Sequence, residues 1–190
     1  SIERHSKDIG IVLESLNIDQ SMVDWYSSSL GSTLLIDAYQ RRVLGGRSSV
    51  LLAPNPDFKF PLWSRALIYS PLPMSVFRKM VGFVAWAVDK RTKEDGQKVR
   101  YRRALLSQDV PRMLLSARFN LGYSLPDDLS RIEVPCAVMT ASSDTLHDFS
   151  KVQRIADSIP NCQMIEVPSN QYAHEPEVLR DIKKFHSSIE

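Results

Sequence analysis

Cysteine is scarce in this chain, with Cys136 and Cys162 the two examples among 190 residues. Two thiols cannot build the multi-bridge framework of a small disulfide scaffold. Each lies inside a short apolar run, so both are expected to be small buried hydrophobes, with no metal site, in a reducing compartment. The predicted location is cytoplasmic. Long apolar runs are missing too: nothing approaches the ~20 consecutive apolar residues that a membrane span needs. The first residues show no basic, apolar and small-residue succession of a secretory signal. An excess of charge of either sign is also absent, with 24 Lys and Arg against 22 Asp and Glu. Near-neutrality combined with 43% hydrophobic residues excludes an intrinsically disordered chain. Internal repeats and low-complexity tracts do not occur. The length suits one core and is short for two domains of roughly 100–150 residues each, so residues 1–190 are expected to form a single domain.

The charge that is present is unevenly placed. Lys90, Arg91, Lys93, Lys98, Arg100, Arg102 and Arg103 stand against Asp89, Glu94 and Asp95, a local +4. Such a stretch can meet phosphates or an acidic partner, but a solvated helix face accounts for it, and nucleic acid is not an expected partner.

Hydrophobic periodicity alternates along the chain. Ile9, Val12, Leu13 and Leu16 fall at i, i+3, i+4 and i+7, which predicts an amphipathic helix. Met22–Tyr26 predicts a short strand leading into Ser27-Ser28-Ser29-Leu30-Gly31-Ser32, and a helix with Leu34, Leu35, Ala38 and Tyr39 inward follows. Val50–Ala53 is the next strand. From Phe58 to Tyr123 the rhythm breaks: after several prolines, Val76, Phe77, Met80, Val81, Val84, Ala85 and Val88 repeat near 3.6 residues, and 58–123 is predicted to be a helical insertion. Alternation resumes with a strand at Val134–Thr140 and a helix with Val152, Ile155, Ala156 and Ile159 inward. A strand at Cys162–Val167 comes next, then a helix from Pro176 with Val178, Leu179, Ile182 and Phe185 inward. Strands separated by helices predict an α/β class with a parallel sheet, flanking helices and right-handed crossovers. In such sheets functional groups gather beyond the carboxyl ends of the strands.

At those ends stand three chemically compatible residues. The serine-rich turn after the first strand has the small-residue spacing of a nucleophile elbow, with Ser27 in place of the first glycine of G-x-S-x-G and Gly31 as the second. Ser29 is then the candidate nucleophile, with the Leu30 N–H beside it; a serine-rich helix cap is the simpler alternative. Asp144 follows the third strand and His174 the fourth. A serine hydroxyl needs an imidazole to take its proton, and the imidazole needs a carboxylate on its other nitrogen. Asp57 and Asp148 are alternative acids, and His147 an alternative base.

Through Tyr26–Ser32, through Ile132-Glu133-Val134-Pro135 leading to Asp144, and through Ile159-Pro160-Asn161 leading to His174, the sequence resembles the α/β-hydrolase superfamily of serine esterases and thioesterases. The resemblance covers nearly the whole chain and corresponds to the C-terminal two-thirds of that domain, from the helix before the elbow. It implies Ser29 as nucleophile, Asp144 as orienting acid, His174 as general base and Leu30 as a backbone oxyanion donor. It also implies a small-molecule ester or thioester substrate, and neither metal nor organic cofactor. The insertion 58–123 corresponds to a lid, with Phe77, Met80, Val84 and Trp86 lining an apolar pocket. The family's early strands and their second oxyanion donor have no counterpart. A homodimer or a further N-terminal chain is therefore expected to cover the Met22–Tyr26 edge. The competing expectations are a non-catalytic binding module of the same fold and an acyltransferase using the same triad.

Overall fold

The computed structural model describes residues 1–58, 62–92, 94–141 and 148–189. They fall into two compact units, one formed by 1–57 with 124–190, the other by 58–123.

In the first unit, β1 (Asp24–Ser28), β2 (Ser48–Leu52), β3 (Cys136–Ala141) and β4 (Cys162–Val167) form one parallel sheet in the order β1-β2-β3-β4. Asp24 pairs with Ser48, Ser49 with Cys136, and Cys136 with Cys162. Every residue of β2 and β3 is buried, as expected for central strands covered on both faces, whereas β1 alternates because it lies at an edge. Helices α1 (Ile2–Ser15), α2 (Leu30–Gln40), α7 (Phe149–Ser158) and α8 (Leu179–His186) flank the sheet, with α2 on β1, α8 on β2 and α7 on β3 and β4. One core cluster joins Val50, Leu52, Met139, Val167, Ile182 and Phe185. The inward residues predicted for α2 and α7 are all buried.

Several predicted details shift. In α1 the buried positions are Ile2, Ser6 and Leu13, while Val12 and Leu16 are 54% and 62% exposed. The helix leans on α2 along the Ile2–Ser6–Leu13 line, and Ser6 is tolerated there because its hydroxyl donates to the Ile2 carbonyl at 3.1 Å. The first strand begins at Asp24, two residues later than predicted. Asp19 accepts from the Ser21 N–H at 2.9 Å and caps a 3₁₀ turn, Gln20–Met22, that takes up the apolar start of the run. The last helix begins at Leu179 because Pro176–Val178 forms a 3₁₀ turn. The change in phase leaves Leu179 exposed while Val178, Ile182 and Phe185 stay inside. Cys136 is buried and Cys162 half-buried, both as free thiols, and burial pushes the Cys162 thiol up to about 11.

The second unit consists of α3 (Leu62–Ile68), α4 (Met74–Arg91), α5 (Asp95–Leu106) and α6 (Val110–Asn120). Phe77 and Val81 of α4 and Val110 and Leu114 of α6 form its core, with Leu67, Met80, Leu105 and Met113 packed against them. Asp109 caps α6 through the Arg112 N–H at 3.1 Å. Among the described residues no helix is long and apolar enough to cross a membrane.

Candidate active site at the carboxyl end of the sheet

Strand β1 ends at Ser28 and α2 starts at Leu30, so Ser29 alone makes the turn between them. Its backbone sits at φ 50°, ψ −114°, in a region that L residues rarely occupy and that costs of order 1–3 kcal/mol. The surrounding hydrogen bonds hold it there. The Ser29 N–H donates to the Leu52 carbonyl at 2.8 Å, and the Ser32 hydroxyl donates to the same oxygen at 3.0 Å. Having spent its proton, Ser32 accepts from Ser27 at 3.0 Å. Thr33 donates to the Asn55 carbonyl at 2.9 Å and accepts from the Asn55 N–H at 3.0 Å. Ser32 and Thr33 are wholly buried, so these bonds satisfy polar groups that would otherwise destabilise the core. Ser29 makes no side-chain capping bond to α2, which removes the helix-cap explanation for this serine.

The spacing of helix and strand leaves room for a side chain at the turn. A Cβ placed on Gly31 would meet the Ser27 Cβ at 3.7 Å, an ordinary contact. Ser27 therefore fits where the resemblance has glycine. Leu30 opens α2, and the N–H groups of a first turn have no acceptor within the helix. Together with the positive end of the helix, the Leu30 N–H is suited to an oxyanion.

His174 ends a 3₁₀ turn, Tyr172–His174, beyond β4 and is exposed. Its Nδ1 lies 2.8 Å from the Asn170 carbonyl oxygen. A carbonyl only accepts, so Nδ1 carries the proton and, in the neutral ring, Nε2 is the bare acceptor. That is the tautomer a general base needs. The turn is fastened to the elbow strand, since the Tyr26 hydroxyl donates to the Ala173 carbonyl at 2.7 Å and Ala173 is fully buried. Burial raises the Tyr26 phenol above its ordinary value, which keeps it a donor.

Asp144 and the alternative base His147 lie outside the described residues. The two alternative acids have structural partners. Asp57 accepts from Lys151 Nζ at 3.1 Å. Asp148 caps α7, accepting from the Ser150 hydroxyl at 2.7 Å and N–H at 2.9 Å, and these bonds hold its carboxyl below the ordinary range. Of the residues expected to line a pocket, Phe77 is in the core of the helical unit and Met80 packs against that core, while Val84 and Trp86 are on its surface. Among the described residues no three His, Cys, Asp or Glu side chains are placed to hold a metal ion.

A Ser–His–Asp association unforeseen in the sequence sits at the amino ends of β1 and β2. Ser48 donates to Asp24 Oδ1 at 2.6 Å and so accepts from His186 Nδ1 at 2.7 Å, while Arg47 pairs with the other Asp24 oxygen. Burial works to raise the Asp24 carboxyl, but Arg47, Ser48 and His186 outweigh it and hold it below its usual value. Ser48 is wholly buried, so this group ties α8 to the sheet and offers nothing to a substrate. No periodicity or spacing marks it, because its members come together only when α8 docks.

Within the first unit a groove of about 600 Å³ runs beside the elbow, lined by Ile9, Val12, Trp25, Leu30 and Leu34 among others.

A parallel sheet in sequential order, covered by helices and carrying a strained serine at the strand-to-helix turn, is the α/β-hydrolase fold. No protein-family model matches the sequence, and no curated protein matches it. Solved structures do. A thermophilic esterase from Thermogutta terrifontis is similar with a TM-score of 0.80 and 17% identity, over 100% of this chain and 73% of that one. A hydrolase from Pseudomonas aeruginosa gives 0.73 and 18%, over 98% and 72%. The enol-lactonase from Burkholderia xenovorans gives 0.74 and 14%, over 97% and 71%.

Proposed function

We propose that this chain is a serine hydrolase that cleaves a small carboxylic ester or thioester through an acyl intermediate on Ser29. The observation that carries this reading is the left-handed backbone of Ser29 at the carboxyl end of β1. A strained serine there raises its hydroxyl at the mouth of the sheet, at the start of a helix.

In this scheme His174 Nε2, left bare by the Nδ1–H bond to Asn170, takes the Ser29 proton as the oxygen attacks the substrate carbonyl. The oxyanion meets the Leu30 N–H and the positive end of α2. The imidazolium returns the proton to the leaving alcohol or thiol, and water then releases the acid by the same route. Asp144 is assigned to stabilising the imidazolium, with the Asn170 carbonyl already fixing the ring's tautomer. The scheme calls for no metal or organic cofactor. A similar structure described as an esterase, and another as an enol-lactonase, support this class of reaction, since a lactone is a cyclic ester.

The test is active-site labelling by a fluorophosphonate, read by intact mass, with hydrolysis of p-nitrophenyl acetate and its thioester counterpart measured on the same samples. Wild type should label once, and Ser29→Ala and His174→Ala should each lose labelling and about 10⁴-fold or more in turnover. A folded wild-type chain that neither labels nor hydrolyses is instead a binding module of this fold. Acyl transfer to an added alcohol in preference to water would assign the same residues to a transferase.

A further inference from the structure

The two units differ sharply in charge. Residues 58–123 hold 13 Lys and Arg against 4 Asp and Glu, while the rest of the chain holds 11 against 18. The basic unit also exposes many large apolar side chains, including Leu62, Trp63, Val99 and Phe119.

These features converge on α4. A helix of a soluble bundle buries one apolar stripe. Here Phe77, Val81 and Ala85 form that stripe and are buried. A second line, Val76, Lys79, Phe83, Trp86 and Lys90, repeats at helical spacing on the other side and is exposed throughout. Phe83 is 66% and Trp86 56% exposed, and their ring centroids lie 5.6 Å apart with the planes tilted by 31°. A lysine one turn away at either end flanks the aromatic pair. Helix α5 packs beside α4, and a groove of about 300 Å³ between them is lined by Trp86 and Asp89 of α4 and by Arg102 and Leu106 of α5.

We propose that the helical unit docks on an anionic lipid bilayer through this face of α4. Phe83 and Trp86 enter the boundary between headgroups and acyl chains, and Lys79, Lys90 and Arg102 lie against lipid phosphates. The charge excess of the unit complements an anionic leaflet, and aromatic residues framed by long cationic side chains match the polarity gradient of the interface. Nucleic acid also takes a basic aromatic surface. However, the aliphatic residues exposed here, Val76, Val99 and Leu106 among them, have no role in stacking on bases and do have one in an apolar boundary. The inference is independent of the chemistry at Ser29.

Flotation of the full chain with phosphatidylcholine vesicles, alone or mixed in equal parts with phosphatidylglycerol, tests it. Binding should require phosphatidylglycerol and weaken as salt is raised. Lys79→Ala and Lys90→Ala should each weaken it about 5-fold, and Phe83→Ser with Trp86→Ser at least ~10-fold. Brominated acyl chains should quench tryptophan emission of the bound wild type, and Trp86→Phe should lose much of that quenching. This arm keeps the aromatic pair close to native shape if the serine variant misfolds. Equal binding to both vesicle types, no binding at low salt, or quenching unchanged in Trp86→Phe would overturn the proposal. So would an oligonucleotide that displaces the vesicles and still binds the Phe83→Ser variant at full strength.

Discussion

Replacing Ser29 by glycine should stabilise the protein while abolishing its reaction. The φ 50°, ψ −114° backbone of Ser29 is open to glycine and strained for any residue with a Cβ. Relief of the strain contributes of order 1–3 kcal/mol, and the extra freedom of glycine in the unfolded chain takes back roughly 0.5–1 kcal/mol. The net gain is about 1 kcal/mol, or a rise in Tm of roughly 2–4 °C for a chain of this size. Ser29→Ala supplies the control. It removes the same hydroxyl, keeps the Cβ and the strain, and should show no such rise, so the difference between the two variants isolates the backbone term from any bond the hydroxyl makes. Urea and thermal unfolding of the three proteins, read by circular dichroism, give the comparison. Ser29→Gly no more stable than Ser29→Ala would mean that the elbow stores no strain, and would remove the observation on which the functional assignment stands.

The amino-end cluster predicts a pH dependence separate from catalysis. Burial lowers His186 below its ordinary 6.5, against the pull of the Asp24 carboxylate, so the folded state binds fewer protons than the unfolded state as pH falls through that value. Stability should therefore be full above pH 6.5 and decline below it, with a further loss under pH 3.8 as the lowered Asp24 is protonated. Thermal unfolding of His186→Gln should lack the first decline; an identical pH profile in the variant would show that His186 does not cause it. Gly46→Ala should be destabilising by about 1–3 kcal/mol through overpacking. The added methyl would lie 2.6 Å from the Trp25 ring, whose Nε1 is fixed by donating to the Gly45 carbonyl at 2.9 Å. An unchanged urea midpoint in that variant would show that the ring moves freely.

Much of this architecture follows from local pattern. The parallel α/β class, the inward faces of α2 and α7 and the strand Cys162–Val167 are legible because period 2 and period 3.6 are properties of neighbouring residues. The small residues of 27–32 announce a tight turn for the same reason. Capping and 3₁₀ turns blur the pattern at the ends of elements, as Asp19 does before β1 and Pro176 before α8. Four matters were decided only by tertiary contacts. The phase of α1 depends on where α2 lies, so Leu13 is buried and Val12 is not. The strained backbone of Ser29 is held because Leu52, on the neighbouring strand, accepts its N–H, while the Asn55 carbonyl anchors Thr33 in the first turn of α2. The turn that carries His174 is pinned from across the sheet by Tyr26, through the Ala173 carbonyl. The Asp24–Ser48–His186 cluster joins residues up to 162 apart, whose meeting no local periodicity encodes. Sequence specifies which chemistry each segment carries, and the long-range hydrogen bonds that close on folding decide which of those groups meet.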